Sequence, residues 1–279
     1  TIPLAELGNP DSSMHAIVLE SIDQPTLDEA MRIWPRRNRQ RRSALPAAFG
    51  NAGRWLRALH KLPATTSSET RLATRDEFLD HVDRFASFLS LDVKQSARVK
   101  SLASSLSLEA RNTLPDELPL VTSHGDFGLH NIFTDGDGNV TGFDTLAYWR
   151  TSPWEDLAYF LMLLENPPPM FVSRGLIRST TLVANYRREF LAGYFQGETI
   201  PASTLRLYEV LVAMDKWTSV VQSARRSSGA KALIKRGRCA VQQRALAARI
   251  DNLRGELRHC PPTAVRVGRL ADSAMGGRA

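Results

Sequence analysis

The chain has 279 residues, 43% of them hydrophobic, and a formal net charge of +7. That is enough apolar material for a sizeable core in one or two domains. No apolar run reaches the roughly 18 residues of a membrane-spanning helix, the N-terminus lacks the basic-then-apolar pattern of a signal peptide, and the two cysteines, Cys239 and Cys260, show no metal-ligand spacing.

Few cysteines and no export signal lead to the expectation of a cytoplasmic protein. The positive balance admits contact with nucleic acid or an anionic membrane. No RNA-recognition motif accompanies it, so nucleic-acid binding is not expected.

Residues 1–8 read as a strand closed by the turn Asn9-Pro10-Asp11. Residues 14–20 (MHAIVLE) form a clearer strand, followed by a connection over residues 21–27. A short helix is expected over 28–34, broken at Pro35. Arg36, Arg37, Arg39, Arg41 and Arg42 follow as a basic cluster, read as solvated loop. Residues 49–61 place Phe49, Ala52, Leu56 and Leu59 on one helical face, and His60 closes that helix. Residues 65–70 are a polar loop. Phe78, Val82, Phe85, Phe88 and Leu89 recur at helical spacing over 77–91, a core face with His81 on the surface. A further amphipathic helix over 96–114 ends at Pro115.

The informative stretch is 121–160. A short apolar strand ends in His124-Gly125-Asp126. Asn131 follows Asp126 by five positions and opens a strand through Ile132 and Phe133. Asp135-Gly136-Asp137-Gly138 reads as a hairpin turn needing positive φ, and residues 140–143 return the chain to Asp144. An EF-hand reading of this turn fails, because Val140 stands where the glycine is needed and Leu146 where the terminal Glu is needed. Trp154-Glu155-Asp156-Leu157-Ala158 opens a buried helix with an acidic first turn.

Beyond it, Pro167-Pro168-Pro169 stops the chain, and helices are expected over 176–195, 205–225 and 230–258. Within them, Glu209 and Asp215 are read as surface salt-bridge partners, with contact to a substrate amine as the alternative. The 230–258 stretch is strongly basic, and residues 261–279 read as a mobile tail.

Asp126, Asn131 and Asp144 thus project from one hairpin unit. Phosphoryl transfer needs a carboxylate to accept a hydroxyl proton and oxygen ligands for Mg²⁺, a hard cation that neutralises phosphate charge. One Asp for the hydroxyl, with an Asn and an Asp for the metal, meets that requirement. Order and spacing together are far more specific than any single loop acid.

The sequence H-G-D-x-x-x-x-N-I-F, then a strand ending in Asp, then E-D-L-A resembles the aminoglycoside phosphotransferase and choline kinase-like superfamily. The Leu56-Arg57-Ala58-Leu59-His60 segment is similar to that family's first large-lobe helix. The resemblance implies an α+β, protein-kinase-like fold: a truncated small N-lobe of strands and a large, mainly helical C-lobe carrying the catalytic hairpin. The expected division is 1–22 for the N-lobe remnant and hinge, 23–260 for the C-lobe, and 261–279 for the tail.

The implied reaction moves the γ-phosphate of ATP or GTP to the hydroxyl of a small molecule. By the same resemblance Asp126 is the base, His124 supports its loop, Asn131 and Asp144 hold Mg²⁺, Asp156 braces the loop, and Glu20, Ser21 and Ile22 line the nucleotide pocket. No Gly-rich loop precedes that hinge segment and no Lys precedes Lys61. The expectation is therefore a chain lacking the phosphate-anchoring start of the N-lobe. A catalytically inactive kinase-fold binding or scaffold protein is the alternative.

Overall fold

The computed structural model describes residues 21–37, 39–63, 69–91, 93–145, 149–165, 180–226, 232–259 and 265–266. The expected strands over 1–8 and 14–20, Glu20, and most of the 261–279 tail lie outside them. Within that last stretch Val265 and Arg266 (β7) pair antiparallel with Thr199–Ile200 (β6).

Helix α1 spans Leu27–Arg37. It starts at a reciprocal cap: the Glu29 amide donates to the Thr26 hydroxyl at 3.3 Å, and the Thr26 amide donates to the Glu29 carboxylate at 3.0 Å. Pro35 does not break it. The backbone stays helical through Arg37 and resumes as α2, Arg39–His60, which also contains Pro46. The Arg cluster expected as loop therefore lies largely on helical backbone. Each proline forfeits one backbone hydrogen bond, and packing overrides that local penalty.

Helix α3 (Arg75–Leu89) starts on the hydroxyl of Thr74, which accepts from the Glu77 amide at 3.2 Å. Helix α4 (Val93–Thr113) returns alongside it. Two short strand systems follow. Val121–Thr122 (β2) pairs antiparallel with Arg150–Thr151 (β5), which also runs parallel to Thr70–Arg71 (β1). Ile132–Thr134 (β3) and Val140–Gly142 (β4) form the hairpin.

Asp135 closes the hairpin turn itself, accepting from the Asp137 and Asn139 amides at 2.9 Å each, with Gly138 at φ +90°. The Asn139 side-chain amide, also bonded to that carboxylate, holds its pKa below the usual range.

Helix α5 (Pro153–Glu165) is the centre of the molecule. It is apolar on nearly all sides because it serves two cores. Ala158 and Met162 face α3, α4, α7 (Ala202–Arg225) and α8 (Ala232–His259). Leu157, Phe160, Leu161 and Leu164 face α1, α2, α6 (Thr180–Phe195) and the hairpin.

The second core is aromatic: Phe160 stacks on Phe190 at 4.0 Å and Phe49 on Tyr186 at 4.5 Å. Helices α2 and α6 cross at backbone contact. A Cβ added at Gly193 falls 1.9 Å from the Gly50 carbonyl, and one at Gly53 falls 2.1 Å from the Phe190 carbonyl. Helix α2 also holds the hairpin, through Asn51 to the Gly138 carbonyl at 2.8 Å and through Trp55 against Gly142. The result is a mainly helical α+β body with three small strand systems among the described residues, the hairpin packed on α1 and α2.

Candidate active site

The loop after β2 is fixed from below by α5. Asp156, 3% exposed, lies in the first turn of that helix. Its carboxylate accepts the His124 amide at 2.8 Å, the Gly125 amide at 3.1 Å, and the Ser123 hydroxyl at 3.1 and 3.2 Å. His60, ending α2, adds a ring nitrogen at 3.1 Å and places its other nitrogen 2.8 Å from the Tyr194 hydroxyl. Burial alone raises the Asp156 pKa. The His60 hydrogen bond and charge, then the two backbone amides, outweigh it and hold the carboxyl below the usual range.

Gly125 takes φ +82°, a left-handed turn that costs other residues strain, and this turn presents Asp126 beyond the braced peptides. His124 points inward and is fully buried, its ring 5.2 Å from Phe127 and 5.8 Å from Trp55. Among the described residues neither ring nitrogen has a hydrogen-bond partner. Burial lowers its pKa, offset in part by Asp156 and Asp126, so the ring is an uncharged packing piece under the loop.

The Asp126 side chain is 34% exposed. Its carboxylate accepts from Asn131 Nδ2 at 3.2 Å, and the same nitrogen donates to the Asp126 carbonyl at 2.9 Å. The Asn131 side-chain oxygen, Oδ1, takes no part in those bonds. His130 Nε2 lies 3.3 Å from the same carboxylate.

Asp144 lies at the same open end of the hairpin as Asn131, because the Phe143 amide donates to the Asn131 carbonyl at 2.9 Å. Asp144 is exposed and held at φ +58°. Asp126, Asn131 and Asp144 are thus gathered at one end of one hairpin. Their donor set is all oxygen, which suits Mg²⁺ rather than a softer ion. No cluster of three or more His, Cys, Asp or Glu suited to a metal occurs among the described residues.

Residues 25–28 are tied to the hairpin by the Thr134 amide to the Pro25 carbonyl at 2.9 Å and the Asp28 amide to the Leu129 carbonyl at 3.3 Å. Ser21 and Ile22 precede that tie. Ser21 is exposed, with its hydroxyl on Asp23 at 3.2 Å, and Ile22 is half-buried.

Asp126 faces a cavity of about 190 Å³ whose other walls come from β1, α3, α5 and α7. Sequence reasoning missed most of this lining. Tyr159 is one turn along α5 from Asp156 and lines the cavity beside Asp126. Burial first, and then the nearby Asp126 carboxylate, push the phenol pKa far above its usual range.

Lys216 sits over the Tyr159 ring at 4.4 Å, with its nitrogen 3.4 Å from the hydroxyl. Glu155 pairs with Arg71 at 3.3 Å and accepts the Thr151 hydroxyl at 2.7 Å; burial nevertheless raises its pKa. His81 is half-buried and lines the cavity, not the surface, because Nδ1 donates to the Glu77 carbonyl at 2.8 Å and turns the ring inward.

The surface reading of Glu209 and Asp215 is also corrected. Asp215 lines the cavity. Glu209 is 2% exposed and pairs with Arg187 and Arg206, in a network that Glu165, Arg249 and Glu256 extend. Burial opposes its charge, and the two guanidiniums overcome that and lower its pKa.

A loop carboxylate braced from a buried helix thus stands beside an Asn and an Asp at a hairpin's open end. The sequence profile of the phosphotransferase enzyme family matches residues 4–202. The chain belongs to that family, and its fold is the kinase-like α+β fold expected from its sequence.

Among solved structures, an aminoglycoside-3'-phosphotransferase of type VIII aligns at 21% identity and a TM-score of 0.46, over 70% of this chain and 67% of its own. A glucosamine kinase in complex with glucosamine, ADP and inorganic phosphate aligns at 16% identity and a TM-score of 0.49, over 83% of this chain and 59% of its own. A second glucosamine kinase structure aligns at 18% identity and a TM-score of 0.49, over 80% of this chain and 55% of its own. The chain therefore spans less than two thirds of the glucosamine kinases. No curated protein matches the sequence. Among the described residues no helix is long and apolar enough to cross a membrane.

Proposed function

We propose that the chain carries the catalytic lobe of a small-molecule kinase, which moves the γ-phosphate of ATP or GTP to a hydroxyl group. The observation that carries this reading is Asp126. It is a partly exposed carboxylate on a cavity rim, held by Asn131 on a loop that Asp156 braces.

In the reaction, the acceptor hydroxyl lies in the cavity against Asp126. Its oxygen forms the new bond to the γ-phosphorus as its proton passes to the Asp126 carboxylate, and the bond to the bridging oxygen breaks to release the nucleoside diphosphate. Asn131 and Asp144 would hold Mg²⁺, which supplies neutralising charge to the phosphate oxygens when bound. Glu20, Ser21 and Ile22 are the nucleotide-side candidates. His124 and Asp156 act through the loop, as positioning residues.

The test is transfer of label from γ-labelled ATP or GTP, with Mg²⁺, to a panel of hydroxyl compounds. Labelled product is expected. A chain that binds nucleotide yet labels no hydroxyl compound contradicts the reading.

A further inference from the structure

The acceptor cavity carries two opposite charges that no ion pair among the described residues compensates. Asp215 and Lys216 are consecutive on α7, both half-buried and both in the cavity wall. Among the described residues neither has an ion-pair partner, whereas the other cation of that wall, Arg71, pairs with Glu155. Arg206 and Arg249, half-buried on α7 and α8, are likewise paired.

Lys216 rests on the Tyr159 ring, which holds the ammonium in place without neutralising it. Partly buried, unpaired charges are costly unless a ligand completes them. The Lys216 ammonium, 3.4 Å from the Tyr159 hydroxyl, shares this cavity with the Asp126 carboxylate. The space is small: about 190 Å³, against about 300–1,000 Å³ for pockets that take drug-sized ligands.

From this we infer that the acceptor is a short hydroxy amino acid, with its hydroxyl on Asp126, its carboxylate on Lys216 and its ammonium on Asp215. The inference rests on the phosphotransferase reading for the role of Asp126, and on the unpaired pair Asp215 and Lys216 for the rest. A carboxylate beside Asp126 is admissible only because Lys216 stands at that point. An amine alone would leave Lys216 unanswered, and a hydroxy acid alone would leave Asp215 so.

The experiment compares serine and threonine with ethanolamine, which lacks the carboxylate, and hydroxypropionate, which lacks the amine. The full chain is used, with ATP and Mg²⁺, beside Lys216→Met and Asp215→Asn. Serine or threonine is expected to exceed both partial analogues in kcat/KM by about tenfold or more. Lys216→Met is expected to raise KM for the amino acid and erase its advantage over ethanolamine. Asp215→Asn is expected to erase its advantage over hydroxypropionate.

Ethanolamine turned over as well as serine overturns the inference. So does a Lys216→Met variant that lowers kcat equally for every acceptor, since the lysine then serves the transferring phosphoryl group. If no acceptor is phosphorylated, calorimetry with serine decides. Binding that Lys216→Met abolishes supports the site while the transfer reading fails, and absence of serine binding overturns the site itself.

Discussion

Replacing Asp156 by asparagine removes a charge from the interior without changing the shape of the side chain. In the native structure the two carboxylate oxygens are used separately: the His124 amide reaches one at 2.8 Å and the Gly125 amide the other at 3.1 Å. An asparagine has one acceptor oxygen and one NH₂ group. Whichever way it turns, one of those backbone amides faces a donor.

A buried donor left unpaired costs about 1–3 kcal/mol. The charge-assisted contact with His60 at 3.1 Å weakens at the same time. Removing one partner from such a buried set is expected to cost roughly 3–5 kcal/mol in all. That lowers Tm by on the order of 10 °C for a chain of this size.

Thermal and urea unfolding followed by circular dichroism measure the loss. Amide hydrogen exchange at His124 and Gly125 locates it, since those two protons should lose protection before the helices do. A change below about 1 kcal/mol, with both amides still protected, refutes the idea that α5 braces the loop through this carboxylate.

Other outcomes follow from the same geometry. Gly193→Ala places a Cβ 1.9 Å from the Gly50 carbonyl, so α2 and α6 must separate, at a cost of roughly 2–3 kcal/mol in urea unfolding. Gly237→Ala, in α8 with nothing within 4 Å, should instead be neutral or stabilising by up to about 1 kcal/mol. Equal effects of the two substitutions contradict the helix crossing.

Burial depresses the pKa of His124 below the usual 6.5. As pH falls below that value the unfolded chain takes up a proton before the folded chain does. The neutral ring's contribution is thus full above 6.5 and is lost on the way down. The wild type is expected to lose stability over that window by up to about 1.4 kcal/mol per pH unit more than His124→Asn. Parallel pH profiles for the two contradict an uncharged buried imidazole.

The hairpin and its acids were legible in the sequence because the signal is local. Asp135-Gly136-Asp137-Gly138 carries its own turn chemistry, and the separations of Asp126, Asn131 and Asp144 follow from one strand pair. The helices were legible by period, but not their starts. Pro35 read as a breaker, yet the backbone stays helical through Arg37.

The cavity was not legible at all. His81, Tyr159, Asp215 and Lys216 come from three helices that meet only in the folded chain. Their spacing in sequence carries no trace of the meeting. Glu209 and Asp215 looked alike on one helix, yet Glu209 meets Arg187 of α6 and Arg206 of its own helix, while Asp215 faces a cavity walled by α3 and α5.

The central claim is that Asp126 takes the acceptor's proton. Single-turnover label transfer by Asp126→Ala, measured beside nucleotide affinity on the same preparation, tests it most directly. Transfer is expected to fall by about 10²–10⁴-fold while nucleotide affinity stays close to that of the wild type. Transfer that persists near the wild-type rate, or a loss wholly explained by weaker nucleotide binding, contradicts the account.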